Sequence, residues 1–181
     1  MNVERKIIFI TGGTSGIGLE LTKLLLNKKA KVIICGRDRQ KLSELQAQHS
    51  ELITIQCDIS KTADIQSAIY QIQQDFGRLD ILINNAGIQY NYNFVEEKSE
   101  IVLEKTTTEM QINFIGVVEL TKLALPLLQK PKEALIINIT SILAYSPKFN
   151  APIYCPSKAA VHSFTEILRH DLRSTKSKSL K

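Results

Sequence analysis

The stretch Thr11-Gly12-Gly13-Thr14-Ser15-Gly16-Ile17-Gly18 joins an apolar run, Lys6–Ile10, to an amphipathic segment, Ile17–Asn27. The run predicts a buried strand, and the spacing of apolar residues in the segment predicts a helix. Glycines at such a junction let backbone N–H groups approach an anion, and a helix N-terminus favours negative charge. The spacing, GxxxGxG, differs from the general dinucleotide fingerprint. We expect a dinucleotide to be held by Gly12, Thr14, Ser15, Gly16, Ile17 and Gly18.

The same alternation of strand and helix patterns continues along the chain. Further strands are predicted at Lys31–Cys35, Leu52–Gln56, Leu79–Ile83 and Leu135–Thr140, and further helices at 38–48, 60–76, about 100–128 and about 154–173. Continuous apolar strands separated by helices indicate a parallel sheet that is covered on both faces. The sequence therefore predicts an α/β fold with a doubly wound parallel sheet of about five strands, a three-layer Rossmann fold. We expect a single domain over 1–181, with 174–181 as a basic flexible tail.

Charge and cysteine content exclude several classes of function. The net charge is +5, but residues 169–181 contribute +4 of it (five Lys or Arg against one Asp), so a basic groove for nucleic acid is not expected. Cys35, Cys57 and Cys155 lie far apart, and the histidines lack metal-ligand spacing, so no metal site is expected. No apolar run approaches the roughly 20 residues of a membrane span, so a cytoplasmic protein without membrane contact is expected.

The end of the second predicted strand bears on the type of dinucleotide. An acidic residue there favours the ribose hydroxyl of NAD, whereas an arginine favours the 2′-phosphate of NADP. Arg37 favours NADP, but Asp38 follows it and leaves NAD open. Arg37 as a surface charge and Asp38 as a helix cap are the alternative interpretation. Asp58, followed by Ile59, is a candidate for binding the adenine amino group, or alternatively a helix cap.

A second group of polar residues suggests proton transfer. Tyr154 and Lys158 lie four residues apart, so on a helix their side chains point the same way. A phenol is a weak base at neutral pH, and a nearby ammonium favours its ionised form. Ser141 follows the fifth predicted strand and Asn84-Asn85-Ala86-Gly87 follow the fourth, at the sheet edge where such folds bind ligands. Asn113 lies in the long helix, where a buried amide needs polar partners.

Together these motifs resemble the short-chain dehydrogenase/reductase family and, within it, the DltE-like oxidoreductases. The resemblance implies an NAD(P)-dependent oxidoreductase that transfers hydride between nicotinamide and a carbonyl or alcohol substrate. It implies that Tyr154 is the general acid/base and that Lys158 assists it and holds the nicotinamide ribose. Ser141 would polarise the substrate oxygen, and Asn113 would hold a relay water. Asn85, Ala86 and Gly87 would contact the cofactor, as would Tyr154 and Lys158. A Ser-His-Asp hydrolase is a poor rival because Ser141 lacks a nucleophile elbow.

Two features depart from the family pattern. Pro156 lies inside the Tyr-x-x-x-Lys motif, where the first turn of a helix tolerates it. The sequence also ends before the sixth and seventh strands and the substrate loop that the family implies. We expect an exposed edge on the fifth strand and weak turnover, so a nucleotide-binding module with little or no turnover is the alternative function, and an interaction protein a third. The resemblance also implies a homo-oligomer through the long and last helices, with Ile112, Ile115, Leu120 and Leu123 as core or interface residues.

Overall fold

The computed structural model describes residues 2–178. These residues divide into two compact units, Met1–Gly87 with Ile115–Ile139, and Ile88–Phe114 with Thr140–Lys181. The strands, all in the first unit, are β1 (Ile7–Thr11), β2 (Lys31–Gly36), β3 (Ile53–Gln56), β4 (Ile81–Asn84) and β5 (Leu135–Asn138). They form one parallel sheet in the order β3-β2-β1-β4-β5. The predicted doubly wound α/β fold is confirmed, since the chain starts near the middle of the sheet and winds outward in both directions.

Helices follow the strands as the alternating pattern predicts. They are α1 (Gly16–Asn27), α2 (Arg39–Gln48), α3 (Thr62–Phe76), α4 (Ser99–Met110), a π-helical turn (Gln111–Ile115), α5 (Gly116–Leu128), a short 3₁₀ helix (Ile142–Ala144) and α6 (Tyr154–Lys178). The end of α3 agrees closely with the prediction because Gly77 adopts a left-handed conformation with φ of 66°, which stops the helix.

Alternate residues of the central strands bury opposite faces of the sheet in the first unit. Ile8, Ile10, Ile34 and Ile83 belong to one apolar cluster with buried leucines of α1 and α2. The intervening Phe9 and its neighbours in β2 and β4 are also buried, although they lie outside this cluster, and α3 and α5 pack against each other and against strands. Burial on both faces explains why the strands are continuously apolar.

Two helices differ from the sequence prediction. The long helix is helical from Ser99 to Leu128 as expected, but the π-helical turn interrupts its α-helical hydrogen bonding, and Pro126 is accommodated in the last turn. The last helix continues to Lys178, beyond the predicted end at Arg173. The predicted flexible tail therefore overlaps helix over 174–178, and 179–181 lie outside the described residues. The single domain stays a prediction.

The helical stretch Ser99–Leu128 also bears on the expectation of no membrane contact. Its most apolar 18-residue window has a mean hydropathy of 1.3, so by length and composition alone the helix is able to cross a membrane. Half of that window is buried inside the structure. Buried core helices have the same apolar composition, so this stretch is weak evidence for a membrane span.

Candidate active site

The glycine turn between β1 and α1 is built so that side chains would not fit. Gly12 and Gly16 have φ angles of 66° and 52°, a region that L-residues with a Cβ rarely adopt. A Cβ on Gly18 would lie 2.2 Å from the carbonyl oxygen of Gly12, and one on Gly13 would lie 2.5 Å from Ile34. Gly13 and Gly18 therefore lack room for a Cβ, whereas at Gly12 and Gly16 the positive φ disfavours other residues.

The start of α1 is open to a ligand. Ser15 occupies the N-cap position, yet its side chain makes no capping hydrogen bond, so the first N–H groups of α1 receive no side-chain acceptor from it. A Cβ on Gly16 would meet nothing within 4 Å, and Ile17 is 65% exposed. An uncapped helix N-terminus beside open space fits the pyrophosphate of a dinucleotide, because both the N–H groups and the helix dipole favour an anion.

A threonine hydroxyl ties this turn to the segment after β4. The Thr11 hydroxyl accepts hydrogen bonds from the backbone N–H groups of Asn85 and Ala86, each at 3.0 Å. The Asn85 side-chain amide donates to the carbonyl oxygens of Thr11 and Gly12 at 2.9 and 3.2 Å. Asn85 and Ala86, predicted as cofactor-binding residues together with Gly87, therefore lie against the glycine turn. The side chain of Asn85 supports that turn, which its position in the sequence did not reveal.

The residues predicted to choose the cofactor lie beyond β2 and β3. Arg37 is exposed, while Asp38 accepts a hydrogen bond from the Lys41 backbone at 3.1 Å and so caps α2, as the alternative interpretation held. Desolvation acts to raise the pKa of Asp58, but hydrogen bonds from Ser60 and the charge of Arg37 outweigh it, and the net pKa is lowered. Asp58 therefore stays an anion beside Arg37. Ile59 is buried.

Tyr154 and Lys158 lie together at the start of α6 in the second unit. The Lys158 Nζ atom is 5.7 Å from the centre of the Tyr154 ring. Lys158 is only 5% exposed, and this burial lowers the pKa of its ammonium. Pro156 falls in the first turn of α6, where its missing N–H removes no intrahelical hydrogen bond. The helix therefore forms through the motif despite the proline.

Asn113 is fully buried in the π-helical turn, and its side chain is occupied by protein groups. Its Oδ1 accepts from the Ile88 N–H at 2.8 Å, and its Nδ2 donates to the Ile88 carbonyl at 2.8 Å and to the Ser157 hydroxyl at 3.1 Å. The Ser157 hydroxyl donates in turn to the Tyr154 carbonyl at 2.7 Å. The side chain of Asn113 thus positions backbone groups, and a relay water would have to compete with these bonds.

Ser141 begins the 3₁₀ helix of the second unit. Its hydroxyl accepts from the Leu143 N–H at 3.2 Å and keeps its own proton for donation. At the end of the same short helix, the Tyr145 hydroxyl lies 2.9 Å from Nδ1 of His162 on α6, and the two rings pack edge-on. The loop that carries Ser141 is thereby fastened to the helix that carries Tyr154 and Lys158.

The comparisons with known proteins agree with this arrangement. The family model described as short chain dehydrogenase matches residues 6–178. The chain belongs to the short-chain dehydrogenase family. An uncharacterized oxidoreductase, DltE of Bacillus subtilis (strain 168), is 39% identical over 175 residues, which cover 97% of this chain and 69% of the relative. L-fucose dehydrogenase of Bos taurus is 30% identical over 166 residues, covering 92% of this chain and 60% of the relative.

A solved structure supports the fold of this short-chain dehydrogenase. The short-chain dehydrogenase from Streptomyces avermitilis superposes with a TM-score of 0.87 at 23% sequence identity, covering 96% of this chain and 63% of that one. The chain thus spans between three fifths and about two thirds of the length of these three relatives. Membership in the family supports an oxidoreductase that binds NAD(P) in general terms.

Three residues that were not predicted as site residues make contacts that support the site. Thr11 holds the segment after β4, Gly13 packs against Ile34, and Ser157 links Asn113 to Tyr154. Thr11 and Gly13 lie within the glycine turn, Thr11–Gly18, and Ser157 lies within the Tyr-x-x-x-Lys motif. The signal was therefore present, but only the three-dimensional contacts assign these residues their partners.

Proposed function

We propose that this protein is an NADP-dependent oxidoreductase that interconverts a carbonyl compound and the corresponding alcohol. The observation that carries the proposal is the pairing of Tyr154 with the buried Lys158 on the first turns of α6. Two further observations support the proposal. The chain belongs to the short-chain dehydrogenase family, and it holds an open, uncapped helix N-terminus after a glycine turn.

The second unit supplies the residues of the proposed proton transfer. The Tyr154 hydroxyl donates a proton to the substrate oxygen in reduction and accepts it in oxidation. The positive charge of Lys158 favours the ionised form of a neighbouring phenol, and so stabilises the phenolate that remains after proton donation. Ser141 donates a hydrogen bond to the same substrate oxygen, while Asn113 and Ser157 hold the backbone around Tyr154 in place. A bound nicotinamide dinucleotide would supply or accept the hydride.

The first unit is proposed to hold the dinucleotide. The N–H groups at the start of α1 would bind the pyrophosphate, Arg37 the 2′-phosphate, and Asp58 the adenine amino group. Because Asp38 is engaged in capping α2, it is a weaker candidate for the ribose hydroxyl of NAD.

A substrate panel tests the proposal. Purified protein is mixed with NADPH or NADH and a series of aldehydes and ketones, and cofactor oxidation is followed. Tyr154→Phe is expected to lower kcat by about 10²–10⁴-fold, the range for loss of a general acid/base, and to leave the Kd for NADPH unchanged. Tyr70→Phe, on an exposed tyrosine of α3, is the matched control and should retain full activity.

The alternative function is a nucleotide-binding module with little or no turnover. It is favoured by the confinement of the glycine turn and its supporting contacts to the first unit. Tight NADPH binding without oxidation of any carbonyl compound in the panel would support this alternative. Absence of nucleotide binding would contradict both functions.

A further inference from the structure

Glu109, near the end of α4, is a carboxylate with no exposed surface. Its Oε1 accepts a hydrogen bond from the Tyr90 backbone N–H at 2.7 Å, and its Oε2 is buried without a hydrogen-bond partner. Burying a carboxyl group with one unsatisfied oxygen is costly, so a chain gains from keeping one only when it performs a specific task. Neither the cofactor turn nor the proton-transfer residues described above include Glu109.

Tyr90 lies in the middle of a segment, residues 88–92, that is held at every second residue. The Ile88 N–H donates to Asn113 at 2.8 Å, the Tyr90 N–H to Glu109, and the Tyr92 N–H to the Asn150 carbonyl at 3.0 Å. The intervening residues 89 and 91 are exposed. The segment is therefore held in place by side chains and a loop carbonyl instead of a neighbouring strand.

Glu109 and Asn113 act on this segment as a pair. They are four residues apart on the same helical stretch, both fully buried, and they hold residues two positions apart in the segment. Asn113 also donates to Ser157, whose hydroxyl donates to the Tyr154 carbonyl. Hydrogen bonds thus link residue 88 to the first turn of α6, and the backbone joins residue 88 to residue 90, which Glu109 holds.

The charged groups around Glu109 are few. Lys105, one turn earlier, attracts its carboxylate but is itself paired with Glu97 at 2.6 Å and lies 4.4 Å from the centre of the Tyr92 ring. Desolvation raises the pKa of Glu109, opposed by the Tyr90 hydrogen bond and by Lys105. Desolvation likewise raises the pKa of Tyr92. The hydrogen bond to Tyr90 is therefore the direct polar contact that Glu109 makes.

We infer that Glu109 is a positioning residue, which holds residues 88–92 so that Asn113 and Ser157 can orient Tyr154 for proton transfer. The inference rests on the proposed function, since it assigns Tyr154 a chemical role. It requires an acceptor atom at the place of Oε1, and the negative charge itself is not required. The inference therefore predicts that the position of the acceptor oxygen matters and its charge does not, whereas a purely electrostatic role would require the charge.

Three substitutions of Glu109 in the full chain test this. Glu109→Gln keeps an acceptor oxygen within reach of the Tyr90 N–H and removes the charge, whereas Glu109→Asp keeps the charge and withdraws the acceptor by one methylene. Glu109→Leu removes both. Glu104→Leu changes an exposed glutamate on the same helix and is the matched control. The readouts are kcat, the KM for NADPH and amide hydrogen exchange at residues 88, 90 and 92.

We expect Glu109→Leu and Glu109→Asp to lower kcat about twofold to tenfold, the effect of losing one ordinary hydrogen bond, with the KM for NADPH unchanged. Amide exchange at Tyr90 and Ile88 should accelerate at least tenfold in both variants, and Glu109→Gln should resemble the unchanged chain in every readout. If Glu109→Leu does not fold, the comparison of Asp with Gln decides alone.

Two results would overturn the inference. One is equal impairment of Glu109→Gln and Glu109→Asp, and the other is unchanged exchange at Tyr90 in Glu109→Asp. Both differ from a failure of the proposed function, in which the unchanged chain itself oxidises no NADPH. In that case the exchange rates still decide whether Glu109 fixes residues 88–92, and unchanged rates at Ile88 in Glu109→Asp would remove the connection to Asn113.

Discussion

Lys158 is buried, although its proposed role requires a charge. Its ammonium is nearly inaccessible, and desolvation lowers its pKa relative to the unfolded chain. Buried ionisable groups with a shifted pKa are common at functional sites, which supports the proposed role of Lys158.

The lowered pKa of Lys158 predicts a pH dependence of stability. The unfolded chain binds this proton more tightly than the folded chain, so the cost of the buried charge is fully present below the folded pKa. Stability is regained as the pH rises from the folded pKa toward 10.5. The Tm of the unchanged chain should therefore rise relative to that of Lys158→Met as the pH increases from the folded pKa toward 10.5, by roughly 2–4 °C for each kcal/mol. Thermal unfolding of both proteins across that range measures it, and parallel curves would contradict it.

Arg37 is the residue on which the proposed preference for NADP depends. Arg37→Ala should weaken NADPH binding by about tenfold or more, since a guanidinium–phosphate hydrogen bond contributes roughly 1.5–3 kcal/mol, and should leave NADH binding nearly unchanged. Fluorescence titration with both nucleotides measures this. Arg39→Ala, an exposed arginine at the start of α2, is the control. Equal weakening of NADPH and NADH would contradict the assignment.

At the scale of elements, the turn between β1 and α1 separates two reasons for glycine. Gly18 is excluded from bearing a side chain by the Gly12 carbonyl, whereas Gly16 has open space and only its positive φ opposes substitution. Gly18→Ala should lower the free energy of unfolding by about 1–3 kcal/mol through overpacking. Gly16→Ala should lower it by only about 1 kcal/mol through backbone strain. Urea unfolding measures both, and a larger loss for Gly16→Ala than for Gly18→Ala would contradict the geometry.

Strands and helices could be predicted because their signals are local. The apolar runs predicted β1 and β2 to within one residue, and Gly77 predicted the end of α3, although that helix begins at Thr62, two residues later than predicted. The π-helical turn could not be predicted, since its apolar spacing resembles that of an α-helix. The two hydrogen bonds between Asn113 in this turn and Ile88 join residues 25 positions apart, so no local pattern indicates them. Asn85 and Glu109 were missed as supporting residues for the same reason.

At the scale of the whole molecule, we propose self-association through the long helix and α6. Of the residues expected in core or interface, Ile112 and Leu120 are buried within the chain, whereas Ile115 is 45% exposed and remains available. In the second unit, Leu103 on α4 and Ile167 on α6 are more than 60% exposed. These exposed apolar side chains are the candidates for burial in the proposed interface.

Sedimentation equilibrium tests the association. The unchanged chain should be a dimer at micromolar concentration, and the double variant Leu103→Lys with Ile167→Lys should be a monomer, because two buried charges per subunit would be unpaired. Ile142→Lys, on the 3₁₀ helix, is the control for an exposed apolar residue outside both helices. A monomeric unchanged chain would contradict the proposal.

The proposed hydride transfer, with Tyr154 as the proton donor, is tested most directly by an isotope label on the cofactor. The protein is incubated with NADPH that carries deuterium at the transferable position of the nicotinamide, together with an aldehyde or ketone from the substrate panel, and the alcohol is analysed by mass spectrometry. We predict an alcohol with one deuterium on the former carbonyl carbon. The unchanged chain and Tyr70→Phe should form it at similar rates, and Tyr154→Phe much more slowly. Alcohol without deuterium, or equal transfer by Tyr154→Phe, would contradict it.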